Sequence, residues 1–290
     1  MDISELLKKV QDIEIKTKRN SKLVFSGGYQ SAFKGKGMIF SEVKEYQYGD
    51  DVRTIDWNVT ARFDTPYVKV FEEERELSIV LIIDVSASNF FGSKNKSKLD
   101  LILETTAVLA LSAVANNDKV GAIFVTDEVE KYIPPKKGKP HALRILRELI
   151  SFESTSNGTH LNKGIQFYIN MVRRKGICFI ISDFIDEHDF QEGLKIANSR
   201  HDMVAIRITD PAEKNLPKIG LRKMFLAEGK GEQWVNTNSS SVQRQFHKNY
   251  KTRESKLNNL LWSSGVDHAV LSTDNNHLVE LKKLFLTRRR

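Results

Sequence analysis

From Leu77 onward the chain alternates apolar runs, polar stretches and segments with apolar residues at helical spacing. Leu77–Ile83, Val120–Val125, Ile177–Ile181 and Met203–Ile208 are nearly continuous runs of Ile, Val, Leu and other apolar residues. Such runs predict strands covered on both faces. Lys98–Ala115, His141–Ile150, Leu161–Arg173 and Phe190–Ser199 predict helices between them. Strand and helix in alternation predict parallel βαβ units. Glu128–Ile133 is expected to fold back beside Val120–Val125, with Pro134-Pro135 stopping it. Beyond Asp210-Pro211, Arg222–Ala227 and Gln233–Asn236 predict a hairpin around Gly229-Lys230-Gly231, and Ser240–Ser263 predicts a long polar helix. Asp267–Leu271 and His277–Phe285 then add a strand and a helix that complete the sheet. The expected fold class is α/β, a doubly wound, mostly parallel, Rossmann-like sheet.

The chain ahead of Leu77 has a different character. Ile3, Leu6, Leu7, Val10 and Ile13 give residues 1–20 the spacing of an amphipathic helix. Residues 21–38 are rich in Gly and Ser and read as loop or hairpin; Gly35-x-Gly37 lacks the third glycine of a dinucleotide loop. Residues 39–75 hold short strand-like pieces and turns such as Tyr48-Gly49-Asp50-Asp51. The expected organisation is an extension over 1–75 and an α/β domain over 76–290, with a hairpin and helix inserted at about 213–264.

Composition narrows the class. Hydrophobic residues at 40% and charged residues at 28% of 290 fit a soluble globular chain with an ample core. Charges interrupt Met1–Lys9 before a signal-peptide apolar region develops, and no apolar run exceeds five residues. A cytoplasmic location is therefore expected, with peripheral membrane contact left open. The single cysteine, Cys178, excludes an intrachain disulfide and reads as a buried, inert strand thiol. The net charge of +8 resides in residues 213–290, with 15 basic and 7 acidic side chains. That end favours an acidic partner, nucleic acid or an anionic surface, or is simply a solvated basic face.

In open parallel sheets, ligands bind beyond the carboxyl ends of the strands. Asp84-Val85-Ser86-Ala87-Ser88 follows the first strand of the domain, and Ser182-Asp183 follows Ile177–Ile181. Asn157-Gly158-Thr159 lies in the polar loop before a helix. Two carboxylates and three hydroxyls form a hard oxygen set that suits Mg²⁺ over Zn²⁺. No His-Glu-x-x-His, Cys cluster, Gly-x-Ser-x-Gly elbow or Walker A loop accompanies them, and the seven histidines are scattered. Taken alone, Asp84-x-Ser86-x-Ser88 is also ordinary turn and cap chemistry. Asp186 reads as a cap or solvated residue and not as a sixth ligand.

Asp84-x-Ser86-x-Ser88, Thr159 and Asp183 resemble the metal-ion-dependent adhesion site of von Willebrand factor A domains. The resemblance implies Ser86, Ser88 and Thr159 as direct ligands, with Asp84 and Asp183 acting mainly through water. It implies Mg²⁺, with Mn²⁺ or Ca²⁺ as substitutes. A second, more specific resemblance begins at Glu42-Val43-Lys44-Glu45-Tyr46-x-x-Gly49-Asp50-Asp51-x-Arg53-x-Ile55-Asp56-Trp57 and continues through Ala61-Arg62. With Asp118-Lys119-Val120-Gly121, Pro134-Pro135-Lys136-Lys137-Gly138 and Thr209-Asp210-Pro211-Ala212-Glu213, it is similar to domain-of-unknown-function family fifty-eight. Two departures stand out. Lys44 replaces a frequent Arg, and Ala227-Glu228-Gly229 replaces an Asp-x-Glu-x-Gly-like run.

This family resemblance implies a von Willebrand factor A-like domain and a non-enzymatic adaptor or chaperone-like role. The implied partners are a MoxR-type AAA+ ATPase and a client protein. A nucleic-acid-binding protein using the basic end, with Trp234, Tyr250 and Trp262 interspersed, is the first alternative. A metal-dependent phosphohydrolase using Asp84 and Asp183 is the second. Within Glu42–Arg62, a turn and ion-pair network that locks the extension onto the sheet domain is expected ahead of a direct partner-binding role, with Arg53 and Arg62 pairing Asp50 or Asp56 and Trp57 packing inward.

Overall fold

The computed structural model describes residues 39–63, 65–72, 77–90, 92, 96–154, 156, 158–225 and 232–288. The helix expected over 1–20, the glycines of 21–38, Asn157, the Ala227-Glu228-Gly229 run and the Gly229-Lys230-Gly231 turn lie outside them. The described chain forms two compact units, residues 39–72 and residues 77–288.

In the smaller unit, β1 (Ile39–Glu45) and β2 (Tyr67–Glu72) pair antiparallel, with a bulge between Phe40 and Glu42. A 3-10 turn at Val52–Thr54 and a short helix, α1 (Trp57–Phe63), join them. Three aspartates of this stretch each hold a backbone turn. Asp50 accepts from Gln47 N, Asp51 from Arg53 N, and Asp56 from Asn58 N and Val59 N at the start of α1. Lys44 donates to Asp50 Oδ1 at 2.9 Å, one bond where an arginine could offer a fork. Lys69 lies 3.5 Å from Asp56. Lys44 and Lys69 thus take the places expected for Arg53 and Arg62. Trp57 corrects a second expectation, being 70% exposed. The Asp56 cap places it in the first turn of a seven-residue helix, and a two-stranded hairpin is too small to enclose its indole.

The larger unit is built on a six-stranded sheet in the order β10-β7-β6-β3-β4-β5. Its strands are β3 (Ser78–Asp84), β4 (Lys119–Val125), β5 (Val129–Lys136), β6 (Ile177–Ser182), β7 (Asp202–Thr209) and β10 (Asp267–Ser272). Only the β4–β5 pair within this sheet is antiparallel. The doubly wound, mostly parallel α/β class is therefore observed. The last two elements complete the sheet as expected, with β10 parallel to β7. A separate hairpin of β8 (Leu221–Phe225) and β9 (Glu232–Asn236) precedes the long helix Ser240–Ser263.

Both faces of the central strands are buried. Val80, Ile82, Cys178 and Ile180 pack against Leu161, Ile165, Tyr168, Leu194 and Leu261. Phe179 turns the other way and meets the ring of Phe285 at 6.1 Å. Five consecutive apolar positions at or near zero exposure in β3, Ile79 to Ile83, explain the absence of alternation in that run. Cys178 sits in this core, and burial holds its thiol well above its ordinary pKa, as expected of an inert thiol. Among the described residues, no helix is long and apolar enough to cross a membrane.

The prolines do not end β5. The strand runs through Pro134 and Pro135 to Lys136, and the register shifts between Val120 and Ala122 on its partner. β5 is the edge of the sheet, where a residue lacking an N–H is tolerated at a bulge. Gly121 lies opposite, and a Cβ there would stand 2.6 Å from Ile133 O and 2.7 Å from Pro135 N. The Asp118–Gly121 and Pro134–Gly138 stretches are thus two halves of one strand crossing. Asp118 also accepts from Leu77 N at 3.0 Å, tying the start of β3 to this crossing. Gly121→Ala is expected to cost about 1–3 kcal/mol by overpacking, read as a lowered thermal midpoint. An unchanged midpoint would mean that the crossing has more room than the backbone separation allows.

Candidate metal centre

After β3 the chain winds to β4 on one side, and β6 later inserts on the other side of β3. That reversal opens a crevice at the carboxyl ends of β3 and β6. Asp84 is the last residue of β3 and is 0% exposed; Asp183 follows the last residue of β6 and is 1% exposed. Burial first, then the neighbouring Asp183 charge, push the Asp84 carboxyl up to about 6. Both Asp84 oxygens have partners. Oδ1 accepts from Ser86 N at 3.0 Å, and Oδ2 accepts from the Ser182 hydroxyl at 2.5 Å.

The Asp-x-Ser-x-Ser run curls into a 3-10 turn at Ala87–Phe90. Asn89 fixes that curl by donating to Asp84 O at 3.1 Å, with Ser86 Oγ a further acceptor at 3.4 Å. The curl places Ser86 Oγ and Ser88 Oγ 3.2 Å apart. Across the crevice, Phe184 has φ of +57°, a left-handed conformation for a bulky residue. It is held by Phe184 N donating to Ser182 Oγ and Ile185 N donating to Asp183 Oδ1, both at 2.9 Å.

Asp84, Ser86 and Ser88 thus form one hydrogen-bonded group, with Asp183 close enough to shift Asp84. Thr159 is buried at the same edge of the sheet. It is held there by His160 N donating to Thr126 O at 2.8 Å, just beyond the end of β4. Asp186 is a cap, but of a distant helix. Its Oδ2 accepts from Leu161 N at 2.8 Å, at the start of the helix Leu161–Met171.

Two residues escaped the sequence reading. Lys98 opens the helix Lys98–Ala115, is 1% exposed, and donates to Asp183 Oδ2 at 2.6 Å and Glu213 Oε1 at 2.7 Å. A cation in the first helical turn opposes the helix dipole, which was the one local sign of a special role. Burial works against its charge, but Asp183 and Glu213 overcome it and hold the Lys98 pKa above the ordinary lysine value. Glu213 belongs to the Thr209–Glu213 run. Asp210 caps Ala212 N with one oxygen, accepts from the Thr273 hydroxyl at 2.7 Å with the other, and so sets Glu213 against Lys98.

The donor set fits a small divalent cation. Two ligands about 2.1 Å from Mg²⁺ and at right angles lie about 3.0 Å apart, close to the separation of the two serine hydroxyls. Lys98 and Glu213 cancel, leaving the charges of Asp84 and Asp183 to match one divalent ion. Asn89 Oδ1 is a buried acceptor with no partner in the same turn. Lys98→Met would leave the buried Asp183 and the partly buried Glu213 without their cation, an expected loss of about 3–5 kcal/mol in chelator-treated protein. Millimolar Mg²⁺ should recover part of that loss in a thermal melt. A variant as stable as wild type without metal would show that the carboxylates need no internal cation.

The family model described as "Protein of unknown function DUF58" matches residues 42–256. An uncharacterized protein of Mycobacterium tuberculosis is 30% identical over 222 residues, spanning 76% of this chain and 70% of its own length. The protein YeaD of Bacillus subtilis is 26% identical over 111 residues, 38% of this chain and 26% of its own. Among solved structures, the conserved hypothetical protein BatB from Bacteroides thetaiotaomicron aligns with 73% of this chain and 98% of its own, at 14% identity and a TM-score of 0.48. The SpRpn10 VWA domain aligns with 72% of this chain and 94% of its own, at 10% identity and a TM-score of 0.39. The family match runs from β1 through most of the long helix and takes in Asp84, Ser86, Ser88, Lys98, Thr159, Asp183 and Glu213, so the chain belongs to the DUF58 family.

Proposed function

We propose that the chain is a divalent-metal-dependent protein-interaction module, a non-enzymatic adaptor or chaperone-like partner of a MoxR-type AAA+ ATPase. The observation that carries this reading is the close pair of hydroxyls, Ser86 and Ser88, at the carboxyl edge of the sheet beside two buried carboxylates. Ser86, Ser88 and Thr159 would hold Mg²⁺, with Asp84 and Asp183 acting through water. The ion would supply an electron-poor position able to accept a carboxylate oxygen from another protein.

The chain's own residues do the rest. Neutral hydroxyls leave the positive charge unquenched. Ser182 and the Ser86 amide keep Asp84 in one orientation, and Lys98 keeps Asp183 in another. The two serine hydroxyls face each other and not a histidine base, which favours gripping over nucleophilic attack. The Glu42–Arg62 run supports the ATPase as partner through the family it marks. Pull-down of a MoxR-type ATPase from the same cells is expected to fall at least tenfold on chelation, and in Asp84→Ala with Mg²⁺ present. Equal retention in all arms would remove the metal from the contact.

A second reading is favoured by one feature. A groove of about 780 Å³ runs along Ser240–Ser263 and is lined by Arg244, His247, Lys248, Lys251 and Lys256. Trp262, 84% exposed, ends the same helix, and Trp234 is 64% exposed, whereas Tyr250 is buried beneath Arg207. This surface suits an anionic polymer. Retention of single-stranded RNA at low salt that falls steeply as salt rises, and falls further in Lys248→Glu/Lys251→Glu, is the expected result. No retention at low salt would end this reading.

A further inference from the structure

The histidines that looked scattered in the sequence are not all scattered in space. The His160 and His188 rings stack face to face, with centroids 4.0 Å apart and planes within 4° of parallel. Asp186 completes the group, and one potential ligand atom from each residue lies within 4.8 Å of the other two. We propose that His160, Asp186 and His188 form a second metal site, for a borderline transition ion of the Zn²⁺ class, beside the hydroxyl site. It does not rest on the adaptor role.

The chemistry is distinct from that of the serine hydroxyls. Two imidazoles and one carboxylate are a set that zinc-class ions favour and Mg²⁺ does not. The carboxylate is already oriented. Its Oδ2 is held by Leu161 N, and its Oδ1 accepts from His188 N at 2.8 Å and lies 2.9 Å from His188 Nδ1. A ligand pair at 2.9 Å is close to the spacing around a single ion. Thr159 O, 3.3 Å from the same ring nitrogen, is a further oxygen at the site. On the other ring, His160 Nδ1 is buried and has no hydrogen-bond partner.

The widest ligand pair must close. Neighbouring ligands about 2.05 Å from a tetrahedral ion are about 3.3 Å apart, so closure of about 1.5 Å is needed. His188 is the half-exposed member of the group, on the loop that follows Asp183. Without an ion, the cluster serves as a hydrogen-bond fastening between that loop and the start of Leu161–Met171. The two roles predict different behaviour toward added metal.

The test uses the full chain, treated with chelator and titrated with Zn²⁺ by calorimetry and with Co²⁺ by visible absorption. One equivalent of each ion should bind, and Co²⁺ should give the intense d–d bands of a low-coordinate nitrogen and oxygen site. His188→Ala, a change at an exposed side chain, should weaken Zn²⁺ binding at least about tenfold, and His160→Gln should do the same. Both variants are checked for an unchanged circular dichroism spectrum. Asp84→Ala should retain Zn²⁺ binding, which separates this site from the serine hydroxyls. Failure of wild type to take up either ion, or Zn²⁺ binding unchanged in both histidine variants, would overturn the proposal. So would loss of Zn²⁺ binding in Asp84→Ala with both histidine variants unaffected.

Discussion

A carboxylate with no exposure, Asp84, ends the central strand of the sheet, and the surrounding loops are arranged around the cost of burying it. A buried charge is tolerated only when hydrogen-bonded and balanced. The Ser86 amide and the Ser182 hydroxyl answer its two oxygens, which fixes the turn after β3 against the end of β6. Asp183, the next residue beyond Ser182, brings a second carboxylate into the same crevice. That repulsion would be unsustainable in isolation. Lys98, reaching from the next helix, and Glu213, reaching from beyond β7, extend the network until it closes. Four loops are thereby held to one another by the requirements of two acids.

The elements legible in the sequence were those with local causes. Near-continuous apolar runs marked the parallel strands, because burial on both faces leaves no alternation to find. Asp84, Ser86 and Ser88 were legible for the same reason, since a turn of five residues contains the whole arrangement. Pro134 and Pro135 were misread because an edge position with a bulge depends on strand order, which local sequence does not contain. Lys98, Glu213, His160 and His188 were hidden for a related reason. Their contacts join residues remote in the chain and carry no periodicity. Trp57 departs from the expectation because an aromatic residue among charges reads as core, whereas the unit that carries it has little interior to offer.

The two groups of candidate ligands share their supports. Thr159 and His160 are consecutive, and Asp183, Asp186 and His188 fall within one short loop. The loop after β6 therefore carries both a hard oxygen donor and an imidazole. The strained backbone at Phe184 lies between Asp183 and Asp186, so the geometry of each group is set by the same turn. Neighbouring residues here diverge in chemical preference while remaining mechanically joined.

The proline-bearing edge has a consequence for how the molecule keeps its own company. A bare edge strand is a template on which another chain can pair, and sheets with two such edges can grow without limit. At Pro134 and Pro135 the outer strand has no N–H to offer, and the bulge there departs from the straight register that a newcomer would need. The exposed Lys136 adds a positive charge at the end of the same strand. The irregularity in β5 thus makes the outer strand of the described sheet a poor template for pairing with another chain.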